Sequence, residues 1–264
     1  MLKILMNLLV TKRRPLLMCV TETSLCANET EIPKSIKPDG YEAFSTGTLT
    51  QKGGATIFVK KFHDYFERDD LMIQTKEYET VWIEITTDKK NRNIVIGCIY
   101  RHPHYNNLHD FTEYLNLTFK KLNKEKKDVY IAGDLNLDLL QYENNSKCSD
   151  FFNLVTSYGF LPLILQPTRF SNTTQTLIDN IFTNALEHDT ESGNILIEFA
   201  DHLTQFASIK KTFAHVKRDP IFKFDESKFN EKLFLEDLSI QIFSENKTPN
   251  DKFSELLWKY ESLC

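Results

Sequence analysis

The chain has 264 residues, of which 41% are hydrophobic and 26% are charged. This balance is typical of a globular protein and excludes a disordered, collagen-like or multi-span membrane protein. Lysine and arginine total 32 against 37 aspartate and glutamate residues, a net charge of −5. A nucleic-acid ligand would therefore need a local basic surface or metal ions to offset the negative charge.

The N-terminal segment is apolar but does not have the pattern of a secretion signal. Its segment Leu2–Val10 is predicted to be a helix, Lys12–Pro15 interrupts the apolar run, and no small-residue cleavage site follows. The five cysteines are odd in number and form no Cys-X-X-Cys pair, which favours a reducing compartment over a disulfide scaffold or a zinc site. We expect a nuclear or cytoplasmic protein that is neither secreted nor embedded in a membrane.

Between about Leu16 and Ile209, short apolar runs alternate with longer amphipathic ones, which predicts an α/β chain. The predicted strands are Leu16–Val20, Ala55–Val59, Val81–Thr86, Ile94–Tyr100, Val129–Ala132, Asn180–Thr183, Ile195–Phe199 and Phe206–Ile209. Two helices are predicted among them, His109–Asn123 with one apolar face, and Ser149–Tyr158 with a serine N-cap. Because some strands follow one another without a helix, the pattern favours mixed sheets over a doubly wound parallel sheet.

The C-terminal part of the chain has a different pattern. Two amphipathic helices, Lys228–Phe243 and Asp251–Tyr260, are predicted there, and each has an apolar face that needs a partner. We therefore divide the chain into a main domain, residues 1–215, and a helical tail, residues 216–264.

The first group of candidate catalytic residues follows the strand that ends near Gly133. Asp134 and Asn136 stand two residues apart on a segment that we expect to be extended, so their side chains should point the same way. A carboxylate beside a neutral amide can hold and polarise a water molecule without the repulsion of two anions. The alternative is an Asx turn that closes the strand, and these residues alone do not decide between the two.

Two further groups supply an aspartate in an apolar setting and a histidine. Asp179 lies within Leu-Ile-Asp-Asn-Ile-Phe, where burial of a carboxylate is costly unless a partner is present. His202 could be that partner, since an imidazole that donates to Asp179 would be oriented and made more basic. Asp201 would face the opposite side and help to hold a metal. The alternative for a lone Asp-His is a pair in a loop.

The order of these motifs, Gly-Asp-X-Asn, Ile-Asp-X-Ile and Asp-His at predicted strand ends, resembles the endonuclease/exonuclease/phosphatase superfamily. The neighbouring segments are similar, more narrowly, to the apurinic-type endonuclease domain of non-LTR retrotransposons. The segments that carry this narrower resemblance are Thr21–Leu25, Gly53–Lys60, Ile99–Pro103, Gln166–Arg169 and Thr176–Asp179. The resemblance covers the chain from about Leu16 to Lys210.

The resemblance implies a fold and a reaction. The fold would be a four-layer α/β/β/α sandwich of the DNase I type, with two mixed β-sheets face to face and a cleft at one end, followed here by the helical tail. The reaction would be hydrolysis of a phosphodiester that nicks DNA, with Mg²⁺ or Mn²⁺ as cofactor. Mg²⁺ favours a few hard oxygen ligands plus waters, which fits the residue types.

The resemblance also implies roles for the catalytic residues. Asp134 would activate the attacking water, and Asn136 would position it. His202, oriented by Asp179, would contact the scissile phosphate and stabilise its charge. Tyr100 would hydrogen-bond a phosphate oxygen or the leaving group.

The remaining roles implied by the resemblance concern the metal and the DNA. Glu22 would ligate the metal, with Asp201 as a further metal-associated carboxylate. Arg101, Arg169 and Thr176 are the candidates for contacts with the DNA backbone. The helical tail is similar to the segment that joins such domains to a reverse transcriptase, which implies a reverse transcriptase domain outside this chain as a partner.

The chain departs from the family pattern at its N-terminus and beside two motifs. The family's first strand supplies an asparagine metal ligand, and because Leu2–Val10 is predicted to be a helix, we expect this strand to be missing and to leave a gap in one sheet. Ser24 stands where the family has tryptophan, and Ala200 where it has serine. Two alternatives stay open: a catalytically impaired remnant with a nucleic-acid-binding or structural role, and a phosphatase that acts on a small phosphoester or a lipid.

Overall fold

The computed structural model of the chain describes residues 3–8 (backbone alone), 15–25, 37–61, 64–87, 92–105, 107–171, 173–196, 201–209 and Lys232. The chain divides into two units, Met1–Lys217 and Arg218–Cys264. The predicted tail helices, Lys228–Phe243 and Asp251–Tyr260, lie outside the described residues apart from Lys232. No helix in the described part has the length and apolar character needed to cross a lipid bilayer.

The described residues form fifteen strands and two α-helices. The strands are β1 Lys3–Leu8, β2 Leu17–Thr21, β3 Tyr41–Thr46, β4 Ala55–Lys60, β5 Tyr65–Glu67, β6 Ile73–Gln74, β7 Tyr78–Ile85, β8 Ile94–Arg101, β9 Asp128–Asp134, β10 Leu161–Pro162, β11 Arg169–Phe170, β12 Gln175–Thr176, β13 Asp179–Thr183, β14 Thr190–Ile195 and β15 Thr204–Ile209. The helices are α1 His109–Glu125 and α2 Ser146–Ser157, and a short 3₁₀ helix covers Leu139–Gln141.

Two mixed sheets make up the body of this unit. The first sheet has six strands in the order β14-β15-β1-β2-β4-β3, with β1 and β15 parallel. The second has the order β10-β13-β9-β8-β7-β5, with β6 also paired to β7, and its parallel pair is β8–β9. The strands β11 and β12 form a separate hairpin. Mixed sheets were the prediction from the sequence, and the structure confirms it.

The inner faces of the two sheets pack against each other, because alternate residues of each strand point to the same side. This interface is aliphatic, with Ile57 of the first sheet among residues such as Val81, Ile96 and Ile181 of the second. The helices α1 and α2 cover the outer face of the second sheet, where Phe111 and other aromatic side chains pack. Among the described residues no helix covers the outer face of the first sheet, so three of the four predicted layers are present.

The N-terminal segment differs from its prediction. Lys3–Leu8 is a strand, β1, and not a helix; it lies between β15 and β2, with Asn7 opposite Phe206 and Met18. A short apolar run suits either a helix or a strand by its composition, and here two neighbouring strands offer hydrogen-bond partners on both sides. The prediction that residues 1–215 lack a first strand, which would leave a gap in one sheet, is therefore wrong.

Two other predicted elements have different bounds. The helix α2 begins at Ser146, and its N-cap is Asn145, whose side-chain oxygen accepts hydrogen bonds from the backbone N–H groups of Lys147 and Cys148. Ser149, the predicted cap, lies within the helix and donates to the carbonyl of Tyr142. The strand predicted at Ile195–Phe199 shares only Ile195 with β14, which covers Thr190–Ile195, and residues 197–199 lie outside the described part of the chain. The mostly polar residues of β14 give no apolar pattern from which to predict this strand.

Candidate active site

Four side chains form one row across the inner face of the second sheet. Glu79, Tyr100, Asp134 and Asp179 are direct cross-strand partners on β7, β8, β9 and β13. Each keeps the alternation of its strand, so each points between the sheets, and none is more than 2% exposed. The parallel strands β8 and β9 both end at this row. Three of these residues, Tyr100, Asp134 and Asp179, were predicted as catalytic from the sequence.

Asp179 is held at the row by His202 and Thr168. His202 Nδ1 donates to Asp179 Oδ2 at 2.8 Å, since a carboxylate oxygen can only accept, and Thr168 Oγ1 donates to the same oxygen at 2.7 Å. The backbone N–H of Asp179 donates to Thr168 Oγ1 at 3.2 Å. His202 and Asp179 are both buried. The imidazole is therefore oriented by a carboxylate, as the sequence predicted.

Asp134 and Asn136 adopt the Asx turn that the sequence left as an alternative. The N–H of Asn136 donates to Asp134 Oδ1 at 3.1 Å, and Asn136 has a φ of 48°, in the left-handed region that asparagine tolerates. Asn136 is thus not on one extended segment with Asp134, because the chain turns after β9. Its Nδ2 donates to the carbonyl of Arg101 at 2.7 Å, so the amide side chain joins the end of β9 to the end of β8.

Arg101 lies inside the protein. Its guanidinium donates to the carbonyls of Leu135 at 2.7 Å, Tyr105 at 2.9 Å and Asn136 at 2.8 Å, and the residue is 4% exposed. Burial lowers the pKa of Arg101, and the charge of Asp134 opposes that effect. The prediction that Arg101 contacts DNA does not agree with this burial, because all three nitrogens of its guanidinium already brace the loop after Asp134.

Glu22 and Tyr100 meet across the two sheets. The Tyr100 hydroxyl donates to Glu22 Oε1 at 2.9 Å, and Glu22 has a φ of 55° just after β2 ends. Burial raises the pKa of Tyr100 well above its ordinary value, and the charge and hydrogen bond of Glu22 and the charges of Asp134 and Glu79 add to this effect. Tyr100 therefore keeps its proton over the ordinary pH range and holds the Glu22 carboxylate beside the row.

Asp201, Arg169 and Thr176 lie at the rim. Arg169 Nε donates to Asp201 Oδ2 at 3.0 Å, and both side chains are about half exposed, at 46% and 50%. Burial raises the pKa of Asp201. The charges of His202 and Arg169 lower this pKa by more than burial raises it, so the net shift is downward. Thr176 is half-buried opposite Arg169 in the β11–β12 hairpin. The structure thus does not bring Asp201 into the buried cluster. Arg169 contacts Asp201 at the rim, and Thr176 lies opposite Arg169.

The buried cluster has the donor set of a cation site. One ligand atom each of Asp134, Asp179 and His202 lies within 4.8 Å of the other two. Two buried carboxylates repel each other unless a positive charge lies between or beside them. Asp179 Oδ1 is buried and accepts no hydrogen bond from the described residues, which is costly for a carboxylate oxygen. Carboxylate oxygens suit Mg²⁺ and Mn²⁺, so Asp134 and Asp179 fit the predicted metal.

A second group of potential ligands lies at the other end of β9. Asp128, Glu187 and His188 also bring ligand atoms within 4.8 Å of one another. Here Arg92 lies 3.7 Å from the Asp128 carboxylate and 3.8 Å from that of Glu187, so a cation already faces both acids. Asp128 begins β9 and Asp134 ends it, which separates the two groups by about 20 Å at the usual rise per residue.

Three residues at the site were not found from the sequence. Glu79 is fully buried, and His102 Nε2 lies 3.0 and 3.1 Å from its two carboxylate oxygens. One signal could have identified Glu79, since it occupies the inward position of the alternation that continues in Val81 and Ile83. Thr168 lies within Gln166–Arg169, one of the segments that carry the resemblance, but only Arg169 of that segment was assigned a role.

The comparisons with known proteins identify the fold. No protein-family model and no curated protein matches the sequence. Among solved structures, the endonuclease domain of TRAS1, a telomere-specific non-LTR retrotransposon, matches with a TM-score of 0.53 and 18% identity over 65% of this chain and 80% of that one. The AP endonuclease LMAP from Leishmania major has a TM-score of 0.60 and 11% identity over 76% of this chain and 79% of its own.

A third structural match is the 3′-5′ exonuclease NExo from Neisseria meningitidis, with a TM-score of 0.55 and 12% identity over 81% of this chain and all of that one. NExo has also been solved as a 3′ phosphatase with a product DNA hairpin bound. At these identities the likeness establishes the fold alone. The chain has the DNase I-like fold of the endonuclease/exonuclease/phosphatase superfamily.

Proposed function

We propose that the chain is a metal-dependent phosphodiesterase that nicks one strand of DNA. The observation that carries this proposal is the buried cluster, in which Asp134, Asp179 and His202 come from three separate segments of the chain and have ligand atoms within 4.8 Å of one another. Such a set joins a candidate base, an oriented imidazole and oxygen ligands at the end of two mixed sheets, where Glu22 and Tyr100 add a third carboxylate and a hydroxyl.

The residues divide the chemistry among them. Asp134 takes the proton of the attacking water as general base. Asn136 positions that water through its side-chain oxygen, while its side-chain nitrogen donates to the carbonyl of Arg101. His202, fixed by Asp179 through Nδ1, contacts the phosphate and stabilises the charge that develops on it.

Tyr100 has a different role from the predicted one. A hydroxyl donates one hydrogen bond, and Glu22 accepts it, so Tyr100 holds Glu22 and does not at the same time donate to a phosphate oxygen. Asp134, Asp179 and Glu22 would hold Mg²⁺ or Mn²⁺. When bound, the metal supplies positive charge to the phosphate and lowers the pKa of a coordinated water.

The choice of DNA as substrate rests on the motifs of the sequence. The segments Thr21–Leu25, Gly53–Lys60, Ile99–Pro103 and Gln166–Arg169 resemble those of non-LTR retrotransposon endonucleases. We accordingly propose that the chain derives from such an element, acts in the nucleus or cytoplasm, and works with a reverse transcriptase domain outside this chain. Arg169 and Thr176, at the rim, are the proposed contacts to the DNA backbone.

The alternative of a catalytically impaired remnant was motivated by two expected losses, the first strand and the asparagine metal ligand that this strand supplies in the family. The strand β1 lies between β15 and β2, where the gap was expected, which removes the first of these two reasons.

A nicking assay on supercoiled plasmid tests the proposal. We expect Mg²⁺- or Mn²⁺-dependent nicking, with at least about a 100-fold loss in Asp134→Ala and in His202→Ala, since each removes a group that acts in proton transfer or charge stabilisation. His188→Ala is the matched control, because it breaks a histidine–carboxylate pair of similar length, 2.9 Å, at the other end of β9. The proposal would be refuted if the wild-type chain showed metal-dependent nicking no faster than that of Asp134→Ala and His202→Ala.

The same preparation distinguishes the phosphatase alternative. An oligonucleotide with a 3′-phosphate, a phosphoinositide and the intact plasmid are offered in parallel at equal concentration. Release of phosphate from either monoester without nicking of the plasmid would favour the phosphatase over the endonuclease.

A further inference from the structure

A second histidine–carboxylate pair closes the other end of the row. Asp179 with His202 stands at one end, and Glu79 with His102 stands at the other, beyond Tyr100. We infer that Glu79 and His102 are positioning residues, which act on the reaction by holding Tyr100 and the segment that carries Glu22. This inference rests on the proposed function for its effect on the reaction, but the contacts that carry it can be tested without activity.

The first contact is with Tyr100. The rings of His102 and Tyr100 meet edge to face, with their centroids 4.8 Å apart and their planes at 70°. Glu79 is the direct cross-strand partner of Tyr100. Glu79 therefore borders the phenol ring from the neighbouring strand β7, and His102 borders it from the end of β8. A shift of the ring would move the hydroxyl that donates to Glu22 at 2.9 Å.

The second contact reaches the Glu22 segment by another route, through Gly53. A Cβ at Gly53 would lie 2.8 Å from His102 Cε1 and 2.9 Å from Glu79 Oε1, and its φ is +137°, so glycine is required for this close approach. The carbonyl of Gly53 accepts a hydrogen bond from the N–H of Ser24 at 2.8 Å. The pair therefore supports the chain two residues after Glu22, as well as Tyr100.

The burial of the pair explains why it positions rather than touches the substrate. Glu79 is fully buried and His102 is 6% exposed. Both oxygens of Glu79 face the single nitrogen Nε2 of His102, and a buried carboxylate that loses its partner is strongly destabilising. Removal of His102 should thus displace Glu79, and with it the two neighbours that the pair supports.

The first experiment measures position directly. The full chain is labelled with ¹³C at the tyrosine ring Cε carbons, and the Tyr100 signal is assigned among the ten tyrosines by its loss in Tyr100→Phe. We expect the Tyr100 signal to shift in His102→Ala and in Glu79→Gln, which keeps the volume of the side chain. His102→Gln, whose amide nitrogen can take the place of Nε2, should restore it nearly to the wild-type position. His188→Ala should leave it unchanged.

An unchanged Tyr100 signal in both His102→Ala and Glu79→Gln would overturn the inference, as would an equal shift in His188→Ala. Glu79→Gln keeps the test open if His102→Ala does not fold. These outcomes do not depend on nicking. A wild-type chain that fails to nick would refute the proposed function, and the Tyr100 signal would still decide whether Glu79 and His102 position Tyr100.

The second experiment measures the effect on the reaction. Because misplacement of a catalytic group by about 1 Å can cost up to about 100-fold, we expect His102→Ala to lower kcat by about 10-fold or more, with KM for plasmid changed less than about 3-fold. His102→Gln should recover most of this loss. In a Tyr100→Phe background the effect of His102→Ala should shrink, since residues that act through one another are not additive. Equal losses in both backgrounds would show that the pair does not act through Tyr100.

Discussion

Asp179 is the residue on which the chemistry of the site depends most. Its Oδ2 accepts hydrogen bonds from His202 and Thr168, while its buried Oδ1 accepts none from the described residues. One oxygen thus orients the imidazole, and the other is available to a cation. The same carboxylate can therefore serve the histidine and a cation without exchanging partners.

The hydroxyl of Thr168 should matter for both stability and activity. Thr168→Val removes a donor to Asp179 Oδ2 and leaves the buried N–H of Asp179 without its acceptor. We expect a loss of about 1–3 kcal/mol in the free energy of unfolding, measured by urea denaturation, and slower nicking. Thr183→Val is a matched control on β13, the strand of Asp179, since the Thr183 hydroxyl donates to the carbonyl of Val129 and accepts the N–H of Ala185. It should lose similar stability and keep its activity; equal loss of nicking in both would contradict the role of Thr168.

The repulsion between Asp134 and Asp179 should appear as a difference between stability and metal binding. Asp134→Asn removes one of two facing buried carboxylates and keeps an oxygen for the N–H of Asn136. Without metal we expect this variant to unfold at a higher temperature than the wild type, because one buried charge is gone. Its Mn²⁺ affinity, measured by calorimetry, should fall at least about 10-fold, since metal sites depend on their carboxylate count. A metal-free variant less stable than the wild type would contradict the repulsion.

Among the elements, the packing of α1 on the second sheet depends on one buried arginine. Arg68, in the turn after β5, donates to Glu84 of β7 at 2.8 Å and to Glu125 at the end of α1 at 2.8 and 2.9 Å. Burial raises the pKa of Glu84. This effect is outweighed by the hydrogen bonds from Lys127 and Asn93, the charge of Lys127 and the hydrogen bond from Arg68, so the net shift is downward. This network joins three elements on the side of the sheet away from the cluster.

Arg68→Met should therefore lower stability and leave the reaction intact. Glu84 is 2% exposed, and a buried charge that loses a partner costs about 3–5 kcal/mol at most, less here because Lys127 and Asn93 remain. Urea denaturation measures the loss, and the plasmid assay measures activity. Lys121→Met is the control, because its pair with Asp70 is largely exposed and should contribute little. A loss no greater than that of the control would contradict the central place of Arg68.

At the scale of the whole molecule, several tyrosine hydroxyl groups lie where burial disfavours their ionised form. Burial raises the pKa of Tyr78, Tyr114 and Tyr130 to about 12 in each case, and that of Tyr100 further. In the unfolded chain tyrosine ionises at about 10. The folded state thus binds more protons above that pH, and linkage requires its stability to fall as the pH rises.

We expect the free energy of unfolding to be insensitive to these tyrosines below about pH 9 and to fall steadily between about pH 10 and 12. Urea midpoints measured by tryptophan fluorescence at intervals of pH test this expectation. Tyr142 is exposed, and its pKa is raised by the hydrogen bond to Glu143, an interaction that solvent screens. Tyr142→Phe should therefore change the slope less than Tyr130→Phe, which should reduce it. A flat profile to pH 12 would contradict the burial of these phenols.

Much of the fold and part of the site follow from local patterns. The strands β4, β8 and β9 and the helix α1 are strongly apolar or strongly periodic, and their predicted bounds differ from those observed by three residues or fewer. Asp134, Asp179 and His202 are polar groups that interrupt apolar runs at strand ends, and the order of their motifs, which resembles the endonuclease/exonuclease/phosphatase superfamily, identified them as candidates. Those features depend on residues close together in the chain, so the sequence contains them.

The remaining features depend on contacts between distant segments. Lys3–Leu8 is a strand because β15 and β2 flank it, Arg101 is buried because three carbonyls converge on it, and Glu79 meets His102 because β7 and β8 align in one register. Local periodicity indicates a face but not the register or the neighbouring strand. Those are set by hydrogen bonds and packing across the sheets, where the gain from burial outweighs the weak preference of any short segment.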